Sequence, residues 1–328
     1  MKNVLVTGGA GYIGSHIVEL LVKEKYNVFI VDNLVTGYRL LINKKAKFFK
    51  ISILNSNKIK KIIINNKIDS IIHLAASLSI GIGEKHPKQY FKNNVLGTKS
   101  LMQACKNTNV KNFIFSSTAA VYKDGFGNFT EKSKINPKSI YGKTKRKAEI
   151  IIIQISKKYN LNFGILRYFN VCGASPSGKI GLITNGDHLF KNFSMEIVKK
   201  NPVLKIYGNN YKTPDKTPIR DYIHVSDLAT IHLKVLKKIS SVNKSIILNC
   251  GYGLGTSVLE VLNSFKKYSK KKIKVVIKDR RIGDMEKIVA SNKKLLHFIN
   301  WKPKYKNLDK IIKSCLKWEK KQKGLVIK

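Results

Sequence analysis

An α/β fold is predicted, with a doubly wound parallel sheet followed by a smaller mixed α/β lobe. Three observations carry the prediction. Short apolar runs alternate with helix-period segments from residue 4 to residue 169, which is the pitch of successive parallel β-α-β units. The first run, Val4-Leu5-Val6, leads straight into a glycine cluster, and the second, Val28-Phe29-Ile30-Val31, ends at Asp32. After Asn170 the alternation loosens into a Gly- and Pro-bearing stretch, where a second unit begins.

In the first unit, Gly8, Gly9, Gly11 and Gly14 follow the strand, and Ile17, Val18, Leu20, Leu21 and Val22 supply the inner face of a helix. Strand, glycine turn, helix and a second strand tipped by an acid is the order that dinucleotide binding requires, so the unit reads as Rossmann-type. The early glycines permit a tight turn and let backbone N–H groups approach a pyrophosphate. Gly14 is expected to let the helix lie close on the sheet. Asp32, 18 residues past Gly14, can accept hydrogen bonds from an adenosine ribose and would repel a 2′-phosphate. NAD is therefore expected rather than NADP.

Residues 47–53 read as a third strand, followed by a helix through Ile59, Ile62, Ile63 and Ile64. Residues 68–76 form a fourth strand that runs into Ala75 and Ala76, small enough to pass close to a cofactor. One long helix is predicted from about Pro87 to Asn107. Residues 111–118 form a fifth strand ending in Ser116-Ser117-Thr118, then a loop (119–138), a helix (141–158) and a sixth strand (163–169). The irregular stretch 171–187, with Gly173, Gly178, Gly181 and Gly186, has the character of a binding loop. A helix (188–200), a strand (204–207), a turn (211–218) and Arg220-Asp221-Tyr222-Ile223-His224-Val225 follow. A helix (226–239), a strand (245–249), a helix (257–268) and a strand (273–277) complete the smaller lobe. The domains are placed at 1–170 and 171–328, with some elements of the second part returning to the first.

The 328-residue chain can bury a large core, and its 43% hydrophobic content is ordinary. It has no run of eighteen apolar residues, so no membrane span is expected, and its N-terminus enters a strand without a leader-like segment. Cys105, Cys172, Cys250 and Cys315 stand far apart and read as reduced thiols of a cytoplasmic protein, and no metal-ligand spacing occurs. The net charge of +44, from 63 basic and 19 acidic residues, raises a nucleic-acid or polyanion reading. Only six of the basic residues are arginines, the preferred bidentate phosphate ligand, and the lysines are scattered. With Asn and Ile also abundant, compositional drift on solvated faces is the simpler account, and no nucleic-acid partner is expected.

Tyr141-Gly142-Lys143-Thr144-Lys145 sets a phenol and an ammonium one helical turn apart. A free tyrosine titrates near pH 10; an adjacent ammonium and a positive nicotinamide ring are expected to bring it towards 7, a drop of about three units or roughly 4 kcal/mol. Thr118, at the tip of the fifth strand, would hydrogen-bond the reacting oxygen while Tyr141 moves its proton.

These residues resemble the extended short-chain dehydrogenase/reductases: Thr7-Gly8-x-x-Gly11-x-x-Gly14, Asp32, the hydroxyl-tipped fifth strand and Tyr141-x-x-x-Lys145. Within that group, Asp32-Asn33-Leu34, Arg167-Tyr168-Phe169-Asn170-Val171-Cys172-Gly173-Ala174, Pro176-Ser177-Gly178, Arg220 to Val225 and Arg280-Arg281-x-Gly283-Asp284 are similar to the UDP-glucose 4-epimerase family. The resemblance covers essentially the whole chain. It implies reversible inversion at C4 of a UDP-hexose, by transient hydride transfer to tightly bound NAD through a 4-keto intermediate, in a homodimer paired through the helices near 88–107 and 141–158, whose apolar faces fit burial inside one chain equally well. It implies Tyr141, Lys145 and Thr118 as catalytic residues. The cofactor would be held by Gly8, Gly11, Tyr12, Ile13, Gly14, Asp32, Asn33, Ser52, Ile53, Ala75, Asn93 and Phe169 together with Tyr141 and Lys145. The UDP-sugar would meet Thr118, Asn170, His188, Leu189, Tyr207, Arg220, Tyr222, Arg281 and Asp284, although the charged members could equally form structural ion pairs. Sugar-nucleotide 4,6-dehydratases carry an Asp-Glu pair where this chain has Ala119-Ala120, so the acid–base pair for water loss is missing. Ser52 stands where the family usually has an acid at the adenine, and Leu78 where it has a lysine near the pyrophosphate. A looser grip on the cofactor is therefore expected. Lys191 replaces a usual proline and Asp215-Lys216 a usual Asp-Gly, neither expected to touch the chemistry. The pocket wall nearest the sugar is expected at Ile288, whose bulk would disfavour an N-acetyl group.

Overall fold

The structure, a computed structural model, describes residues 2–125, 127–184, 188–269, 271–281 and 284–326. Gly186 and Gly283 of the motifs above lie outside the described residues. From the N-terminus run β1 (Asn3–Thr7), α1 (Tyr12–Lys23), β2 (Asn27–Asp32), β3 (Lys47–Lys50), α2 (Ser56–Asn65) and β4 (Ser70–His73). Next come α3 (Ile80–Lys85), α4 (Pro87–Tyr90), a wide π-turn (Phe91–Leu96), α5 (Gly97–Ala104), β5 (Asn112–Thr118), β6 (Gly127–Phe129), α6 (Ile140–Tyr159), β7 (Asn162–Tyr168) and β8 (Asn170–Cys172). The remainder is α7 (Leu189–Ile197), β9 (Val203–Tyr207), β10 (Ile219–Arg220), β11 (Tyr222–His224), α8 (Val225–Val242), β12 (Ile246–Cys250), β13 (Thr256–Ser257), α9 (Val258–Lys266), β14 (Lys274–Lys278), β15 (Lys287–Ala290), α10 (Lys293–Ile299) and α11 (Leu308–Val326).

Seven strands form one sheet in the order β12-β7-β5-β4-β1-β2-β3, every pair parallel. Its central strands are covered on both faces, which is why they read as unbroken apolar runs. On one face Ile17, Val18 and Leu21 of α1 share a core with Leu228, Ile231 and Val235 of α8. On the other, Ile59 and Ile63 of α2 pack with Leu101 of α5 and Ala148 and Ile152 of α6. Strand order reverses between β1 and β4, so a crevice opens at their carboxyl ends, the place where such sheets bind ligands. The smaller sheets, β13-β10-β15-β6, β11-β8 and β14-β9, stand over that crevice.

Several expectations need correction. The third strand ends at Lys50: after one more ladder bond from Ile51 N to Asp32 O the chain turns at Ser52, leaving Ser52 and Ile53 beside the crevice. The single helix of 87–107 is three pieces, preceded by the unforeseen α3, and ends at Ala104. The loop 119–138 contains β6, which pairs in parallel with β15, a partner remote in sequence. Val171 and Cys172, read as irregular, belong to β8. The strand of 245–249 pairs with β7 in the large sheet, and β15, α10 and α11 were not anticipated.

Candidate active site

At the tip of β1, Gly14 is packed into the turn itself. A Cβ there would lie 2.1 Å from the carbonyl oxygen of Gly8. The close approach expected of Gly14 is thus made at the end of β1, where Gly8 N still donates to Val31 O at 2.9 Å. The N-cap of α1 is Gly11, with no side chain capping the helix, so nothing competes with an anion for its first N–H groups. Asp32 is buried at the end of β2, its Oδ2 accepting from Ala10 N at 3.1 Å and its Oδ1 from Leu34 N at 2.9 Å. Each carboxylate oxygen keeps a lone pair for a further donor. Turn, helix end and acid all border one cavity of about 1030 Å³, and together they fit the pyrophosphate and ribose of NAD.

The π-turn on the cavity's edge carries Asn93 and Asn94. Asn94 clamps Ser77, accepting from its N–H at 2.7 Å and donating to its carbonyl at 3.1 Å, while Asn93 donates to the Ser77 hydroxyl at 3.1 Å. Asn94 also donates to Thr144 Oγ1 at 3.1 Å, whose hydroxyl donates to Tyr141 O at 2.9 Å. Behind them, Thr98 donates to Asn94 O at 2.6 Å and therefore accepts from His73 Nε2, which leaves His73 Nδ1 to accept from Thr7 at 2.7 Å. Sequence reading missed Asn94, Ser77 and His73. A buried histidine ending an apolar strand was the available signal.

Helix α6 begins where Ser139 caps Gly142 N at 3.1 Å, and it presents Tyr141 to the cavity. The Thr118 hydroxyl hydrogen-bonds the phenol, as its place at the strand tip suggested. Lys145 is buried one turn on, its Nζ donating to Ser116 O at 2.6 Å and lying 4.6 Å from the Phe115 ring centre. Burial pushes Tyr141 up to about 12, with the Thr118 hydrogen bond opposing it. Burial also pushes Lys145 down to about 7, against the pull of Glu149.

At the far end, Asp284 is committed rather than free: Arg220 Nη2 donates to its Oδ1 at 2.5 Å and Tyr211 to its Oδ2 at 2.9 Å. Arg220 also donates to the carbonyls of Ile219 at 2.9 Å and Met285 at 2.6 Å. The structural ion pair left open by the sequence is thus present, between two residues that both line the cavity. Arg281 stacks over the Tyr207 ring at 4.3 Å, and Tyr222 is buried edge-on to Phe190. Asn170, His188 and Leu189 line the same wall.

The cavity therefore brings together every sequence-predicted site residue except Lys145, which lies behind Tyr141. Ser52, Ala119, Ala120 and Ile288 line it as well, as does Leu78 with its side chain exposed. Lys191 also lines it, in a buried ion pair with Glu319 at 2.6 Å.

Residues 4–251 match the model of the NAD dependent epimerase/dehydratase family. A UDP-glucose 4-epimerase of Lactobacillus helveticus is 40% identical over 321 residues, 97% of each chain. Two crystal structures superpose over nearly the full length. One is a UDP-glucose 4-epimerase from Brucella ovis in complex with NAD, at 34% identity, with a TM-score of 0.91 and coverage of 96% of this chain and 98% of that one. The other is a UDP-glucose 4-epimerase from Bifidobacterium longum in complex with NAD+ and UDP, at 32% identity, with a TM-score of 0.90 and coverage of 98% and 99%.

Proposed function

The chain belongs to the NAD dependent epimerase/dehydratase family, and from that membership we propose that it interconverts UDP-glucose and UDP-galactose. One observation carries the reading. The hydrogen-bonded Tyr141 and Thr118 hydroxyls stand on a single cavity with the Gly8–Gly14 turn at one end and Arg220, Tyr222 and Arg281 at the other.

Bound NAD supplies a reversible hydride acceptor. It would be held by Gly8, Gly11, Tyr12, Ile13, Gly14, Asp32, Asn33, Ser52, Ile53, Ala75, Asn93 and Phe169. Tyr141 takes the proton of the sugar 4-hydroxyl and later returns it, and the Thr118 hydroxyl holds the phenol and the reacting oxygen in line. Lys145 stabilises the phenolate, so the two groups titrate as a pair. Arg220 and Arg281 provide fixed cations for the diphosphate, with Arg220 oriented by Asp284. His188, Leu189, Tyr207, Tyr222 and Asn170 complete the nucleotide-sugar wall. Residues 1–170 form the cofactor domain and 171–328 the sugar-nucleotide lobe, with α8 and β12 returning to the first.

Incubation with UDP-galactose is expected to yield UDP-glucose; no product, even with added NAD, would sink the proposal. Ile288 on the wall favours a hexose without an N-acetyl group, so UDP-N-acetylgalactosamine should turn over more slowly than UDP-galactose. Equal rates would shift the reading to a broader UDP-sugar epimerase. Cytoplasmic location is supported by four buried free thiols, and among the described residues no helix is long and apolar enough to cross a membrane. Exposed Ile82, Phe91, Leu96 and Ile150 on the α3–α6 helices support a homodimer, which sedimentation would test.

A further inference from the structure

We propose that Glu149, which does not border the cavity, is a positioning residue for the reaction: it docks the catalytic face of α6 on the tip of β5 and sets a negative charge one helical turn from Lys145. The proposal rests on Tyr141 being the base.

Tyr141, Lys145 and Glu149 recur at four-residue intervals, so they share one face of α6. Each meets a different residue of the same strand tip. Thr118 bonds the Tyr141 phenol, the Ser116 carbonyl accepts from Lys145 at 2.6 Å, and the Ser117 hydroxyl donates to Glu149 Oε1 at 2.6 Å. Three consecutive strand residues thus hold three successive turns of the helix. A slip of α6 along β5 would break all three contacts together.

Glu149 is anchored from behind as well. Arg167 of β7, in register with Ser117, donates Nε to Oε1 at 2.9 Å and Nη2 to Oε2 at 2.8 Å, and Arg146 adds a bond to Oε2 at 2.9 Å. Arg167 Nη1 continues to Tyr122 OH at 3.1 Å, which donates to Asn249 at 2.6 Å. The Glu149 and Arg167 side chains are 0% and 1% exposed. A buried pair of this kind gains little stability over an apolar replacement, so stability alone does not account for it beneath a catalytic dyad. Burial would raise the Glu149 carboxyl, but Arg167, Ser117 and Arg146 hold it below its ordinary value, and it stays ionised.

The buried histidine and the phenols near the dyad are uncharged at neutral pH. His73 of β4 is pushed down to about 3 by burial, and the phenols of Tyr90, Tyr122, Tyr141 and Tyr168 are all pushed up by burial. Arg146 and Arg167 are paired to Glu149 itself. Among the described residues Glu149 is the carboxylate that acts on Lys145.

The test is the pH profile of UDP-galactose turnover by the NAD-loaded enzyme. In Glu149→Gln the profile should move to lower pH by about one unit, because the Tyr141–Lys145 pair loses a neighbouring negative charge. The kcat should fall about tenfold to a hundredfold with little change in KM. Glu149→Gln combined with Arg167→Met avoids a stranded guanidinium. It should recover the thermal midpoint but keep the displaced profile and the low kcat. Ser117→Ala cuts the dock alone and should lower kcat without moving the profile. A wild-type profile and kcat in the double variant would overturn the proposal. If neither Glu149 variant folds, an unchanged kcat in Ser117→Ala would overturn it instead. Failure of the underlying reading shows elsewhere, as near-wild-type turnover in Tyr141→Phe.

Discussion

A single hydroxyl separates tyrosine from phenylalanine, and Tyr141→Phe should cut turnover by about 10²–10⁴ while NAD is still retained on gel filtration. Lys145 gives a different signature. Its pKa falls to about 7 on folding from an ordinary 10.5, so between those values the unfolded chain binds a proton that the folded chain does not. Stability therefore rises with pH across that window. Lys145→Met should be more stable than wild type near pH 6, and its advantage should shrink by about 1.4 kcal/mol per pH unit above 7. Thermal melts at pH 6, 8 and 9.5 would show it, and a constant difference would refute it. Tyr141 and Lys145 were legible as a pair because their spacing is local, and Thr118 because it ends an apolar strand. The burial that pushes the Tyr141 phenol up was not legible, because burial belongs to the packed molecule.

Helix α6 reaches its position because Gly142 has no side chain: a Cβ there would lie 2.3 Å from the Ala120 carbonyl oxygen. Gly142→Ala should therefore push the Tyr141 turn off the 119–121 segment. Overpacking of this kind costs about 1–3 kcal/mol, and turnover should fall with it; unchanged melting and kcat would show that the contact relaxes without cost. Most long elements were legible from periodicity, α1 and α6 best of all. The π-turn was hidden because residues 91–96 keep an apolar helical pattern, and it is the Asn94 bonds to Ser77 and Thr144 that accompany the wider turn. The three-residue β6 was hidden because its only warrant is β15, which follows more than a hundred residues later.

Over the whole molecule, the net charge of +44 should make the surface sticky towards polyanions at low salt. That attraction should fade by about 150 mM salt, as nonspecific binding does. Filter binding of RNA that stays nanomolar there would contradict the reading of a solvated, drifted surface. The large sheet and its crevice were legible from the order of strands and helices. Of the smaller sheets, β9 and β14 were legible as strands, but β6, β8, β10 and β13 were not, since they are too short to carry a periodic signal and are defined by remote partners.

One pairing in that sheet sets a timetable. The outer neighbour of β7 is β12, so the edge that emerges with Tyr168 has no partner until Cys250 has been synthesised. At ribosomal speeds of roughly 5–20 residues per second, the edge waits on the order of ten seconds, open to pairing with a neighbouring nascent chain. A message truncated after residue 170 would leave it open permanently. Such a fragment should collect in inclusion bodies, whereas co-expression of the missing half should return part of it to the soluble fraction.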